Sequence, residues 1–265
     1  MKKSLKFLML AVFVSFAFVL SACGEGQLGA KAQANIGNEA DYAVATEADV
    51  TALTDYIAAE DSADAVTAYR MTMEMTSSYM EGMSQTMKYN AVISVGEEDV
   101  KMAVKLESSY TMLDETEEGT VYLYYDAGVI AMEMKGEVMG GEDVPSKIKV
   151  TLPEGQKGSD FYLVESLFEM NLGGLLELLA EEVDFAAEGV EVKVNTQGNL
   201  KRFQINAEVD GEQGKIYLVF EDNQLTQYQM EAEGMKVVLE AFDGEVEIPS
   251  FDGYADFNYE DLFGM

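Results

Sequence analysis

Tyr69-Arg70-Met71-Thr72-Met73-Glu74-Met75-Thr76 is the stretch on which the fold turns. Tyr69, Met71, Met73 and Met75 alternate with Arg70, Thr72, Glu74 and Thr76, and a period of two is what a strand with one buried and one wet face requires. Just upstream the period is that of a helix. Val50, Leu53, Tyr56 and Ile57 fall at i, i+3, i+6 and i+7 within 46–60, with Thr46 placed as an N-cap and Asp49 three residues on.

Downstream, the alternation returns at 87–95, 100–107, 120–125, 129–134 and 147–152, and again at 190–195, 200–209, 215–221, 224–232, 235–241 and 246–248. The links Gln197-Gly198-Asn199, Asp210-Gly211, Asp222-Asn223 and Asp243-Gly244 are short and built from residues that tolerate positive φ, so neighbouring strands are expected to form antiparallel hairpins. They leave no room for βαβ crossovers. Gly119-Thr-Val-Tyr-Leu-Tyr-Tyr-Asp126 looks like Gly214-Lys-Ile-Tyr-Leu-Val-Phe-Glu221, a hint of two related halves that strand composition alone could also produce.

Between the two strand sets lies the long apolar stretch 161–183. Leu172, Leu175, Leu176, Leu179 and Val183 recur at helical spacing while Glu177, Glu181 and Asp184 face away, and Gly173-Gly174 marks a bend. A helix of this kind inserted into an antiparallel sheet must lay Leu172, Leu176 and Leu179 on one sheet face, as a lid or plug. The expected fold is therefore mainly β with α: a curved antiparallel β-sheet covered by an inserted amphipathic helix and a short N-terminal helix.

Composition sets the outer limits. The 265 residues include 17 Lys and Arg against 49 Asp and Glu, a net charge of -32, with one Cys and neither His nor Trp. Without histidine there is no Ser-His-Asp triad, Cys-His pair or HExxH zinc site. A single Cys cannot close an intrachain disulfide or fill a zinc shell. The charge repels phosphate backbones, so nucleic acid is not an expected partner. With 48% hydrophobic residues and three prolines, the chain can bury a core.

The first segment reads as an address. Lys2, Lys3 and Lys6 precede an uncharged apolar run of 14 residues from Phe7 to Leu20, short of the roughly 20 that a permanent transmembrane helix needs. Leu20-Ser21-Ala22-Cys23 then resembles the bacterial lipobox, in which the Cys is acylated and becomes the mature N-terminus. Residues 1–22 are expected to be a signal peptide, and Cys23 the lipidation site holding the protein on the extracytoplasmic face of the cell membrane. Acyl chains contribute about 0.8 kcal/mol per buried methylene, so two or three anchor firmly. Loss of 1–22 removes three lysines and no acids, leaving 49 acidic against 14 basic residues, a net of -35. Residues 23–47, rich in Gly, Ala, Asn and Gln, read as a flexible tether, 48–249 as the folded domain and 250–265 as an acidic, aromatic tail.

The lipobox, the short helix, the successive hairpins, the central leucine stretch and a late hairpin reading Asp222-Asn-Gln-Leu-Thr-Gln-Tyr-Gln-Met230 then Gly234-Met-Lys-Val-Val-Leu239 together resemble the lipoprotein-carrier superfamily of LolA and LolB, and more closely its LppX-type relatives. That resemblance covers roughly 48–249 and implies a half-barrel whose concave face is covered by helices and holds acyl chains. It transfers no binding residue.

Methionines crowd 71–87: Met71, Met73, Met75, Met80, Met83 and Met87. Thioethers can take Cu(I), but alternate positions on a strand share one face, and Met equally suits an adaptable apolar cavity or plain core. The candidate ligand-binding set is thus Tyr69, Met71, Met73 and Met75 with Leu172, Leu176 and Leu179, and no resident metal or cofactor is expected. The acidic runs Glu97-Glu98-Asp99, Asp114-Glu115-Thr116-Glu117-Glu118 and Glu181-Glu182 lack EF-hand spacing and read as solvated loops. No phosphate loop or Gly-x-Ser-x-Gly motif occurs, and no enzymatic activity is expected. The function this implies is binding of a lipid or acyl chain by a membrane-anchored lipoprotein. The alternative is a structural or sensory envelope lipoprotein that binds a protein partner through its acidic surface.

Overall fold

A computed structural model of the chain describes residues 25–60, 68–80, 83–95, 100–112, 115–136, 145–153, 185, 189–209 and 212–258. The expected signal peptide, Cys23, the leucine stretch with Leu172, Leu176 and Leu179, and the tail beyond residue 258 lie outside the described residues.

Among the described residues thirteen strands form one sheet. A first meander runs through β2 (Ala68–Met80), β3 (Met83–Val95), β4 (Val100–Met112), β5 (Glu115–Asp126), β6 (Val129–Gly136) and β7 (Lys147–Thr151). A second runs through β8 (Glu191–Gln197), β9 (Leu200–Val209), β10 (Glu212–Glu221), β11 (Gln224–Ala232) and β12 (Met235–Ala241). The last strand of the second meander pairs with the first strand of the first, antiparallel, with Met71 opposite Leu239 and Met73 opposite Val237. Two-residue strands close the ends: β1 (Ala43–Val44) lies antiparallel on β8, and β13 (Ala255–Asp256) lies parallel on β7. Mainly β architecture is as expected, in an open sheet whose one parallel pair among the described strands is β7 with β13.

Short hairpins drive this topology. Ala127 and Gly128 link β5 to β6 with φ of 48° and 77°, and Asp222 and Asn223 link β10 to β11 with φ of 50° and 69°. Positive φ at both central residues is the two-residue turn whose twist matches that of its strands. The two stretches that look alike in sequence thus precede the same turn. Their side chains also match: Val121, Leu123 and Tyr125 of β5 enter the main core, as do Ile216, Leu218 and Phe220 of β10.

Helix α1 (Glu25–Gly29) and helix α2 (Glu47–Glu60) lie on opposite faces of the sheet. At the start of α2 the Thr46 hydroxyl donates to Asp49 at 2.7 Å and accepts the Asp49 amide at 3.3 Å, the reciprocal cap expected from the sequence. Leu53 and Ile57 of α2 are buried in the main core, and Tyr56 packs on Phe203 and Phe220. No helix among the described residues is long and apolar enough to cross a membrane.

The opposite face carries two straps. Residues 25–44, read from composition as part of a tether, are docked: Leu28 packs with Val92 and Ala103, and Ala32 is buried. The chain then crosses the sheet to its β8 edge. Along the way the Ala32 amide donates to Thr72 Oγ1 at 2.8 Å, the Asn35 amide to Gln227 Oε1 at 2.5 Å, and Arg202 Nε to the Asn35 carbonyl at 2.7 Å. Composition missed this because the anchors are isolated residues whose partners lie far away in the chain.

The second strap corrects the strand expected at 246–248. After β12 the chain leaves the ladder and runs over the strap face, where Val246 is buried with Leu28 and Val92 and Ile248 packs beside them. The expected hairpin at Asp243-Gly244 is absent because β12 already has β2 on its free side, so no ladder position remains for a strand there. Phe251 and Tyr254 continue the strap across Tyr124 to the β7 edge. Both edges of the sheet are therefore occupied by the chain's own segments, which blunts edge-to-edge association.

Candidate functional site

Alternation along β2 sends odd residues to one face. Tyr69 and Met71 are fully buried there, Met73 is nearly so, and Met75 is half-buried at the margin. The sheet does bring these four sequence-predicted residues onto one surface. Register extends it sideways: Met71 faces Ala91 and Leu239, Met73 faces Tyr89 and Val237, and Met75 faces Met87 and Met235. Met102 and Met132 are buried in the same layer, with Met134 and Met230 packed against it. The α2 face is thus rich in thioethers, which are unbranched, polarizable and able to repack around irregular shapes.

Four buried phenols sit in this layer, those of Tyr69, Tyr89, Tyr125 and Tyr228. Burial pushes the Tyr69, Tyr89 and Tyr228 hydroxyls well above their ordinary pKa, so each remains neutral across the physiological range. With Tyr125 they set hydroxyls into a largely apolar layer. The three leucines expected to face it fall outside the described residues.

A second, polar site lies on the strap face and was not legible in the sequence. A cleft of about 450 Å³ is lined by Glu39, Glu191, Lys193, Gln204, Asn206, Gln213, Gly214 and Lys215. The first strap supplies Glu39, whose carboxylate accepts from Tyr217 Oη at 2.6 Å and Lys215 Nζ at 2.9 Å. The Tyr217 bond and then the Lys215 bond hold the Glu39 carboxyl below its usual range. Across the cleft, Glu191 accepts from Lys193 at 3.0 Å and from Asn206 Nδ2 at 3.0 Å, and these bonds lower its pKa in the same way.

Tyr42, edge-on to Tyr217, is pushed up to about 12, mainly by burial and against the pull of Arg202. Each carboxylate in the cleft is thus already matched to an ammonium. The Glu39–Lys215 pair joins the first strap to β10, whereas Glu191 and Lys193 both belong to β8. The sequence signal was absent because Glu39 and Lys215 are 176 residues apart.

Among the described residues no cluster of three or more carboxylate or thiol side chains could hold a metal ion. The part of the 114–118 acidic run that is described, Glu115 to Glu118, forms the exposed start of β5. Comparison with protein-family models and with curated proteins gives no match.

Proposed function

We propose that this protein is an extracytoplasmic lipoprotein, anchored to the cell membrane by acyl chains on Cys23, that binds an apolar ligand such as a lipid acyl chain on the α2 face of its sheet. In this reading the sheet bends as a half-barrel around that face, the leucine stretch with Leu172, Leu176 and Leu179 contributes to the binding surface, and the protein acts as a carrier or holder rather than as an enzyme. The observation that carries it is the methionine-rich layer: Met71, Met73, Met87, Met102 and Met132 all enter one core on one sheet face. Branched aliphatic residues specify a unique packing better, so a thioether-rich layer suits a surface that must close without ligand and repack with it.

Native mass spectrometry of protein extracted from membranes, compared with the same protein after delipidation, tests the reading. An extra mass corresponding to a lipid, lost on delipidation and regained on incubation with phospholipid, is the expected result. If no lipid co-purifies and no hydrophobic probe binds, the layer is ordinary core. Binding of a protein partner through the acidic surface then becomes the better account, and the charge of -35 on the mature chain is its motive.

A further inference from the structure

The first described residue of the folded part, Glu25, is two residues beyond Cys23. Two residues span at most about 7 Å even when fully extended. From Glu25 the chain is not free: α1 lies on β3 and β4, Leu28 is 1% exposed against Val92 and Ala103, and Gln27 is hydrogen-bonded to Glu247. An acyl anchor on Cys23 would therefore be joined to the strap face of the sheet by a link too short to let the domain tumble.

We infer that the strap face around α1 is the surface turned toward the phospholipid headgroups, with the α2 face directed away from the bilayer. This rests on the reading of Cys23 as acylated. The short link, and not charge, carries the orientation. On β3 and β4 the lysines are paired, Lys88 with Glu74 at 3.1 Å, Lys101 with Asp126 at 3.7 Å and Lys105 with Glu107 at 3.0 Å, while the second strap adds exposed Asp243, Glu245 and Glu247 to the same face. Neutral headgroups therefore suit this face better than anionic ones. The arrangement also leaves the methionine-rich layer opening away from the membrane that holds the protein, where it can meet a second surface or a soluble carrier.

Single thiols placed in the acylated protein test this, because Cys23 is the only native cysteine and acylation blocks it. Lys101→Cys puts a fluorophore on the strap face two residues from Ala103, and Asp55→Cys puts one on the exposed side of α2. Each is reconstituted in vesicles of phosphatidylcholine and phosphatidylglycerol doped with a headgroup nitroxide lipid. The expected result is several-fold stronger quenching at position 101 than at 55, lost when a flexible Gly-Ser linker is inserted between Gly24 and Glu25. Equal quenching at the two positions, stronger quenching at 55, or indifference to the linker overturns the orientation. Intact-protein mass spectrometry on the same samples reports acylation separately. An unmodified Cys23 overturns the anchor itself, whereas an acylated Cys23 with equal quenching overturns only the orientation.

Discussion

The side-chain amide of Gln27 pairs with the backbone of Glu247 in both directions: Nε2 donates to the Glu247 carbonyl at 2.6 Å, and the Glu247 amide donates to Oε1 at 3.0 Å. A side chain here does what a neighbouring strand would do, and it joins the two straps where both begin to cross the sheet. The pair is exposed, so each bond contributes modestly; about 1 kcal/mol is typical for one. Gln27→Ala is expected to cost about 1–2 kcal/mol in urea unfolding and to speed amide exchange selectively at residues 246–248. Global loss of structure, or exchange unchanged at those residues, would show that the straps dock independently.

On the α2 face, Met71→Ala removes a fully buried side chain and is expected to cost about 2–5 kcal/mol, while Met75→Ala at the margin costs clearly less. Chemical denaturation of both variants checks the order. If the layer also holds a ligand, Met75→Ala should alter lipid recovery in native mass spectrometry while leaving the fold intact.

Asp49 accepts the Thr46 hydroxyl at 2.7 Å and the Thr46 amide at 3.0 Å, and these bonds hold its pKa below the ordinary 3.8. A carboxyl whose folded pKa is depressed stabilises the fold above its unfolded value, and the contribution fades as pH falls through the folded value. Thr46→Ala should raise the Asp49 midpoint toward 3.8 in a carbon-detected titration, flatten the dependence of stability on pH below about 4 and cost about 1 kcal/mol at neutral pH from loss of the cap. A midpoint that does not move would assign the shift to the backbone amide of residue 46, which the variant keeps, and to Lys201, 3.7 Å away.

Gly198 and Gly234 both have positive φ, 66° and 70°. A Cβ at Gly198 would meet nothing within 4 Å, whereas one at Gly234 would run into the carbonyl oxygen of Thr76 on β2. Gly198→Ala should therefore show only the backbone penalty, about 1–2 kcal/mol, and Gly234→Ala distinctly more, because the Thr76 amide also donates to the Gly234 carbonyl at 2.6 Å. Thermal melts of the two variants side by side make the comparison.

Anchoring is tested by Cys23→Ser, which should abolish incorporation of labelled fatty acid and release the protein or leave it uncut. Label retained by the variant would move the acylation elsewhere.

Local features of the fold were readable directly. The period of two in 69–76 identified β2 and its buried set, because strand geometry sends alternate side chains to opposite faces whatever the partner. Thr46 and Asp49 marked the start of α2 because a cap is made within one turn. Asp222-Asn223 marked the turn after β10 because its residue types tolerate the φ it needs. Of the candidate site, Tyr69, Met71, Met73 and Met75 were legible for the same reason, as a face, though periodicity cannot tell core from cavity.

Tertiary structure decided what depends on partners remote in the chain. Residues 246–248 alternate like a strand yet form a strap, because β2 already holds the free side of β12. Glu39 and Tyr42 sit in a stretch with a tether's composition, yet Lys215 and Tyr217 fix them to the sheet. The pairing of β12 with β2 joins residues more than 150 apart, and no local pattern encodes it. Local sequence sets backbone conformation and which side chains face together, since those depend on neighbours a few residues away. Which strand edges meet, and what covers each face, follows only when the whole chain competes for the same hydrogen-bonding edges and apolar surface.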